Sequence, residues 1–212
     1  SVRKDVFYAR ARGHQSARDA ALFGDTIPPA VYDALIDAVH TSLPACGDYL
    51  ELRRRVVGVE QLAPYDMQVA LAELDEREVT YGEAVATTLQ GLAPLGEQYL
   101  GDLRAGLQGG RWVDVHETAN KRSGGYNIGV FGASPYILMN WSGTRQDLYT
   151  LANEAGHAMH GFFSNAAQPY TTADYTIFCA EVASTVNETL LTWHLLDHAT
   201  SDRERFAILG QF

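Results

Sequence analysis

Residues 153–160 read Asn-Glu-Ala-Gly-His-Ala-Met-His within a stretch of helical periodicity. On a helix, His-Glu-x-x-His sets two imidazoles one turn apart on one face, where they can hold Zn²⁺. The Glu beside them can then take a proton from water. Glu154 and His157 stand in that pattern, and Asn153 occupies the place of its first imidazole. An amide oxygen is a neutral hard donor, whereas zinc favours imidazole, thiolate or carboxylate. Glu-x-x-His alone occurs by chance in many helices, so a second feature has to support it. Glu181 falls among Ile177, Phe178, Val182 and Val186, where a carboxylate is costly unless it is paired or bound to a metal. His157 and Glu181 are therefore candidate ligands for one zinc ion, and Glu154 is the candidate general base. His160 shares the helix face and is a possible substitute donor.

Other chemistry-bearing residues are less well supported. His116-Glu117 has no further donor at helical spacing and reads as a solvated pair. His194 and His198 are four apart on the last helix, but no carboxylate motif backs them, so they read as ordinary surface or interface residues. Ser164 and Ser184 lack convincing His and Asp partners for an acyl-enzyme mechanism. Tyr126, Tyr136, Tyr170 and Tyr175 read as packing aromatics.

The elements that must position these groups follow from caps and breakers. Residues 2–22 are Arg- and Ala-rich and helical without a strong stripe. Thr26 ahead of Ile27, Pro28 and Pro29 marks a helix start, and Val31, Leu35, Val39 and Leu43 form a stripe that Pro44 stops. A separate helix covers about Ala45 to Val57. Thr80 and Glu83 make a capping box for a helix ending near Gly91, and another follows Pro94 and fades at Gly109 and Gly110. Residues 111–142 change to short strands, with a turn inside Gly129–Pro135 joining two antiparallel ones. Thr144 with Asp147 caps a helix over 144–163, and Asp174 caps a last helix over 174–198. The expected architecture is one mainly α domain over residues 1–212, helical over 1–110, with a small antiparallel sheet or hairpin.

The chain has 212 residues, 46% of them apolar, enough for a sizeable core. Asp and Glu outnumber Lys and Arg by 26 to 16, which argues against a nucleic-acid or anionic-membrane partner. No apolar run approaches the ~18 residues of a spanning helix, and no signal peptide is recognisable. Cys46 and Cys179 sit among apolar or small neighbours and read as free buried thiols. These features suggest an acidic soluble enzyme of the cytoplasm.

Several segments carry a resemblance. Lys121–Tyr126, Pro135–Trp141, Leu148–His160 and Ala180–Glu188, with Asp19–Gly24 and Glu51–Arg55, resemble oligoendopeptidase F, in the thimet-oligopeptidase-like zinc metallopeptidases of peptidase family M3. The resemblance covers nearly the whole chain. It implies a section of a zincin-like catalytic domain, flanked in the longer family members by further helical parts, and both ends of this chain look cut. It implies that His157 and Glu181 bind zinc, that Glu154 is the base, and that position 153 belongs to the family's first zinc-binding His. His160 and Glu188 are then possible supports behind the ligands. The implied activity is hydrolysis of short oligopeptides, impaired or lost here because of Asn153 and truncation, with a zinc ion that is weakly held or absent. The alternative is a non-catalytic peptide-binding fragment. The strand Tyr136, Ile137, Leu138, Met139 and Asn140 lies just before the metal helix and is read as an edge strand to which an extended peptide adds. The Gly-rich stretch from Gly124 to Gly132 resembles a flexible substrate-covering loop, or simply serves hairpin turns. Phe206, Ile208, Leu209 and Phe212, with Val6, Phe7 and Tyr8, suggest docking against missing parts of the parent or self-association.

Overall fold

The computed structural model describes residues 1–71, 78–109 and 112–211. The chain divides into two compact units, Ser1–Leu71 and Ala72–Phe212, where the sequence suggests one domain.

In the first unit the Arg- and Ala-rich start is two helices, α1 (Val2–Ala11) and α2 (Ala17–Phe23). Gly13, at φ 79°, breaks the run, and Ser16 restarts it by accepting a 3.0 Å hydrogen bond from the Asp19 N–H. Helix α3 spans Pro29–Val57 without interruption. Pro44 therefore lies inside the helix, and the two helices expected on either side of it are one. Proline removes one intrahelical donor and strains the turn before it, but it does not forbid helical residues after it. Thr26 sits at φ 56° and makes the bend into α3; it does not cap it. The far end of α3 is fixed by Arg53, only 5% exposed, whose guanidinium donates to the carbonyls of Asp66 (2.9 Å), Met67 (2.6 Å) and Val69. Those carbonyls belong to a short 3-10 segment, Pro64–Gln68, and the residues after it. Val31, Leu35, Val39 and Leu43 are all exposed.

In the second unit, helix α4 (Tyr81–Gly91) starts at the capping box of Thr80 and Glu83, and α5 (Glu97–Arg104) runs into a π turn over Ala105–Gly109. Gly110, in the expected fade of that helix, lies outside the described residues. Three short strands follow: β1 (Val113–Asp114), β2 (Tyr126–Ile128) and β3 (Tyr136–Leu138). The β2–β3 pair is the expected antiparallel hairpin, but β1 joins β3 in parallel, giving a mixed sheet in the order β1-β3-β2. Helix α6 (Arg145–Ala167) has the expected Thr144–Asp147 capping box. Helix α7 (Ile177–His198) begins three residues after Asp174, whose carboxylate bonds its neighbour Tyr175 instead of capping the helix. Helix α8 covers Asp202–Gln211.

The core lies in this second unit, where Leu92, Leu103, Ile137, Met139, Leu151, Met159 and Leu191 are fully buried between α4, α5, β3, α6 and α7. Each such side chain contributes roughly 1.5–3 kcal/mol relative to an exposed one. Both thiols are exposed, contrary to expectation, and both are free. Phe206, Leu209 and Phe7 are also exposed, whereas Ile208 is buried; Phe212 lies outside the described residues. No described helix is long and apolar enough to cross a membrane.

Candidate functional site

Helices α6 and α7 meet at Gly156. A Cβ there would lie 2.7 Å from both the Ala183 carbonyl oxygen and the Ser184 Cα, so only glycine lets the two backbones approach this closely. The close approach places residues of both helices in one site. His157 Nε2 lies 3.6 Å from Glu181 Oε2, and the Ser184 hydroxyl donates a 2.7 Å hydrogen bond to the same carboxylate oxygen. Glu181 is nevertheless 61% exposed, and Ile177, Phe178, Val182 and Val186 are exposed around it. Glu181 is therefore solvated and not desolvated as expected; its place beside His157 is what marks it.

Glu154 is 8% exposed. Burial raises its carboxyl pKa, and the charges of Glu181 and Glu188 push the same way. His157 and a hydrogen bond from the Asn127 backbone N–H oppose the rise. That donor comes from β2 and was not legible in the sequence, because a backbone N–H has no residue signature. A Cβ on Gly125, just ahead of β2, would lie 2.5 Å from the Thr150 methyl, so the chain entering β2 packs close against side chains of α6.

Asn153 lies one turn before His157 on the same face of α6, where it meets the next turn of α7. Its amide Nδ2 donates a 2.7 Å hydrogen bond to Glu188 Oε1. Both line a cavity of about 350 Å³ with Gly125, Gln146, Tyr149, Thr150 and Glu154. His160 stacks on Tyr175, with ring centroids 3.7 Å apart and planes within 14°. Burial and then the neighbouring His157 lower its pKa. Tyr175 is thus a site-lining aromatic, while Tyr170 packs edge-on against Phe131 at the hairpin tip.

Zinc takes imidazole nitrogen and carboxylate oxygen, and His157 and Glu181 offer one of each. Asn153 does not complete the set, since its amide is turned to Glu188. Among the described residues no group of three His, Cys, Asp or Glu side chains could hold a metal ion. The donors present therefore match two positions of a three-ligand site and leave the third without a suitable group.

Strand β3 is the middle strand, so the expected edge is elsewhere. The N–H groups of Ile137 and Met139 donate to the Trp112 and Asp114 carbonyls, while the opposite side of β3 pairs with β2. Ile137 and Met139 are buried in the core, Leu138 is half-buried and Tyr136 is exposed. Asn140 clamps the preceding loop by donating to the Arg122 (2.7 Å) and Gly124 (2.8 Å) carbonyls. The free edge nearest Glu154 belongs to β2.

Residues 1–211 match the peptidase family M3. Oligopeptidase PepF of Bacillus subtilis is 44% identical over 210 residues, 99% of this chain and 31% of its own length. The chromosomal oligoendopeptidase F of Lactococcus lactis subsp. cremoris is 40% identical over 212 residues, 100% of this chain and 35% of its own length. A crystal structure from Chlamydophila abortus matches with a TM-score of 0.87 at 38% identity, over 99% of this chain and 35% of that one. Oligoendopeptidase-F of Enterococcus faecium matches with a TM-score of 0.59 at 30% identity, over 95% and 28%. The chain spans about a third of the length of the curated relatives it matches. With a match along essentially its whole length, and with Glu154, His157 and Glu181 gathered where α6 and α7 touch, the chain belongs to peptidase family M3.

Proposed function

We propose that this chain is the section of a zinc-dependent oligoendopeptidase that holds the general base and two of the zinc ligands, and that its hydrolytic activity is impaired by Asn153. The observation that carries the reading is a buried carboxylate, Glu154, one turn from a His157–Glu181 pair 3.6 Å apart. A zinc ion held there would supply Lewis-acid polarisation of the scissile carbonyl. His157 and Glu181 would hold the ion. Glu154 takes the proton of the attacking water and passes it to the leaving amine, a role suited to a carboxyl whose pKa burial has raised. The Asn127 N–H orients that carboxylate.

The substrates are short peptides. An extended peptide adds to the edge of β2, beside Glu154, since β3 is committed on both sides. Of the predicted β3 residues, Tyr136 and Leu138 remain as side-chain contacts. Hydrolysis in the cytoplasm fits the acidic composition. The exposed face of α7, formed by Phe178, Val182, Val186 and Trp193, is covered by the rest of the parent polypeptide or by self-association.

A second reading is a peptide-binding site without hydrolysis, favoured by the Asn153–Glu188 hydrogen bond. Turnover of a quenched fluorescent peptide, measured together with its binding by calorimetry, separates the two. Zinc-stimulated turnover supports the impaired enzyme, binding without turnover supports the second reading, and neither binding nor turnover defeats both.

A further inference from the structure

His194 and His198 take no part in the site above. They close α7, one turn apart on the same face, with ring centroids 4.2 Å apart and planes at 39°. His198 Nδ1 lies 2.8 Å from the His194 carbonyl oxygen. A carbonyl can only accept, so Nδ1 is a protonated nitrogen, and in the neutral tautomer the lone pair falls on Nε2. Metal-bound imidazoles use this same arrangement, the far nitrogen donating to a carbonyl to fix tautomer and ring orientation. The pair also has a firm backing. A Cβ on Gly91 would meet the Leu191 Cα at 3.1 Å and the His194 Cβ at 3.4 Å, so the end of α4 lies directly behind His194. Burial, then the His198 charge, lowers the His194 pKa, against an opposing pull from Asp197. His198 is exposed and gives open approach.

We propose that His194 and His198 form a two-imidazole site for a divalent first-row transition ion, with water completing the coordination. Among the described residues no third His, Cys, Asp or Glu joins them, which sets the expected selectivity. Cu²⁺ should bind most tightly, with Ni²⁺ and Zn²⁺ weaker, following the general order for nitrogen donors. Mg²⁺ and Ca²⁺, which demand oxygen ligands, should not compete.

The test is titration of the chain with NiCl₂ followed by amide NMR. Paramagnetic broadening should centre on residues 194–198 and persist in His157→Ala, which separates this site from the one at Glu181. His194→Ala and His198→Ala should each weaken binding by about tenfold or more, as loss of even a supporting partner does at metal sites. Imidazole ¹⁵N shifts should place the metal-free proton of His198 on Nδ1. Broadening unchanged by either substitution, broadening confined to His157 and Glu181, equal competition by Mg²⁺, or a proton on Nε2 of His198 would each overturn the proposal.

Discussion

The Asn153 amide donates to Glu188 across the α6–α7 interface at 2.7 Å. A carboxylate in that position could equally receive an imidazole N–H and aim the other ring nitrogen toward His157 and Glu181. Asn153→His is therefore expected to raise zinc affinity by at least about tenfold, and adding Glu188→Gln to lose about 10–100-fold of that gain. Zinc content after equilibrium dialysis reads both; equal retention by all three forms would remove position 153 from the ligand set.

Gly156→Ala places a methyl against the Ala183 carbonyl and the Ser184 Cα, neither of which can rotate away. The expected cost is about 1–3 kcal/mol in urea denaturation, the range for overpacking a tight contact. A neutral result would mean that α6 and α7 can part without loss.

For Glu154 the sign of the pH dependence follows from burial. Its folded-state pKa lies above the unfolded value, so its favourable contribution is present below the unfolded pKa and is lost as pH rises through the folded one. Glu154→Gln should consequently be more stable than the parent at neutral pH, with the advantage shrinking toward acid pH. Melting temperatures measured across pH 4 to 8, about the range in which a raised carboxyl titrates, check it; an advantage that grew on acidification would contradict the assigned shift.

Arg53→Met deletes the donor that satisfies the carbonyls of Asp66, Met67 and Val69. Loss of about 2 kcal/mol locally is expected, since bonds from a charged donor contribute roughly 1.5–3 kcal/mol. Limited proteolysis is the direct readout, with cleavage of residues 60–71 accelerated while α6 and α7 stay protected.

Helices α4 and α6 were legible because their caps use side chains, whereas the start of α7, at Thr176 without a side-chain cap, was misplaced. Thr80–Glu83 and Thr144–Asp147 can be read from spacing, and the structure contains both boxes. That Glu154, His157 and Glu181 come together was legible from the motif and the helix spacing, though the apolar surroundings that pointed to Glu181 are exposed. What escaped were features that depend on partners distant in the chain. Pro44 reads as a stop, but a helix can carry it where tertiary anchors such as Arg53 hold the segment beyond. The place of β3 in the middle of the sheet depends on β1, and the two share no local signal. Asn127 contributes through its backbone, whose pairing no residue type announces. Gly156 sits in plain view, yet its reason is the opposite helix.

The central position of β3 also bears on the order of assembly. Closing β2 on β3 needs only the turn through Gly132, at φ 78°, whereas β1 must return over the whole loop that follows it, and closure entropy rises with loop length. The hairpin is the cheaper nucleus, and β1 docks onto it afterwards. The Asn127 N–H can thus be turned toward α6 before the sheet is complete, so that the donor to Glu154 depends on a local event. Pulse-labelled hydrogen exchange during refolding should find the N–H groups of Ile137 and Met139, which reach β1, protected after the hairpin; simultaneous protection would show that the three strands assemble in one step.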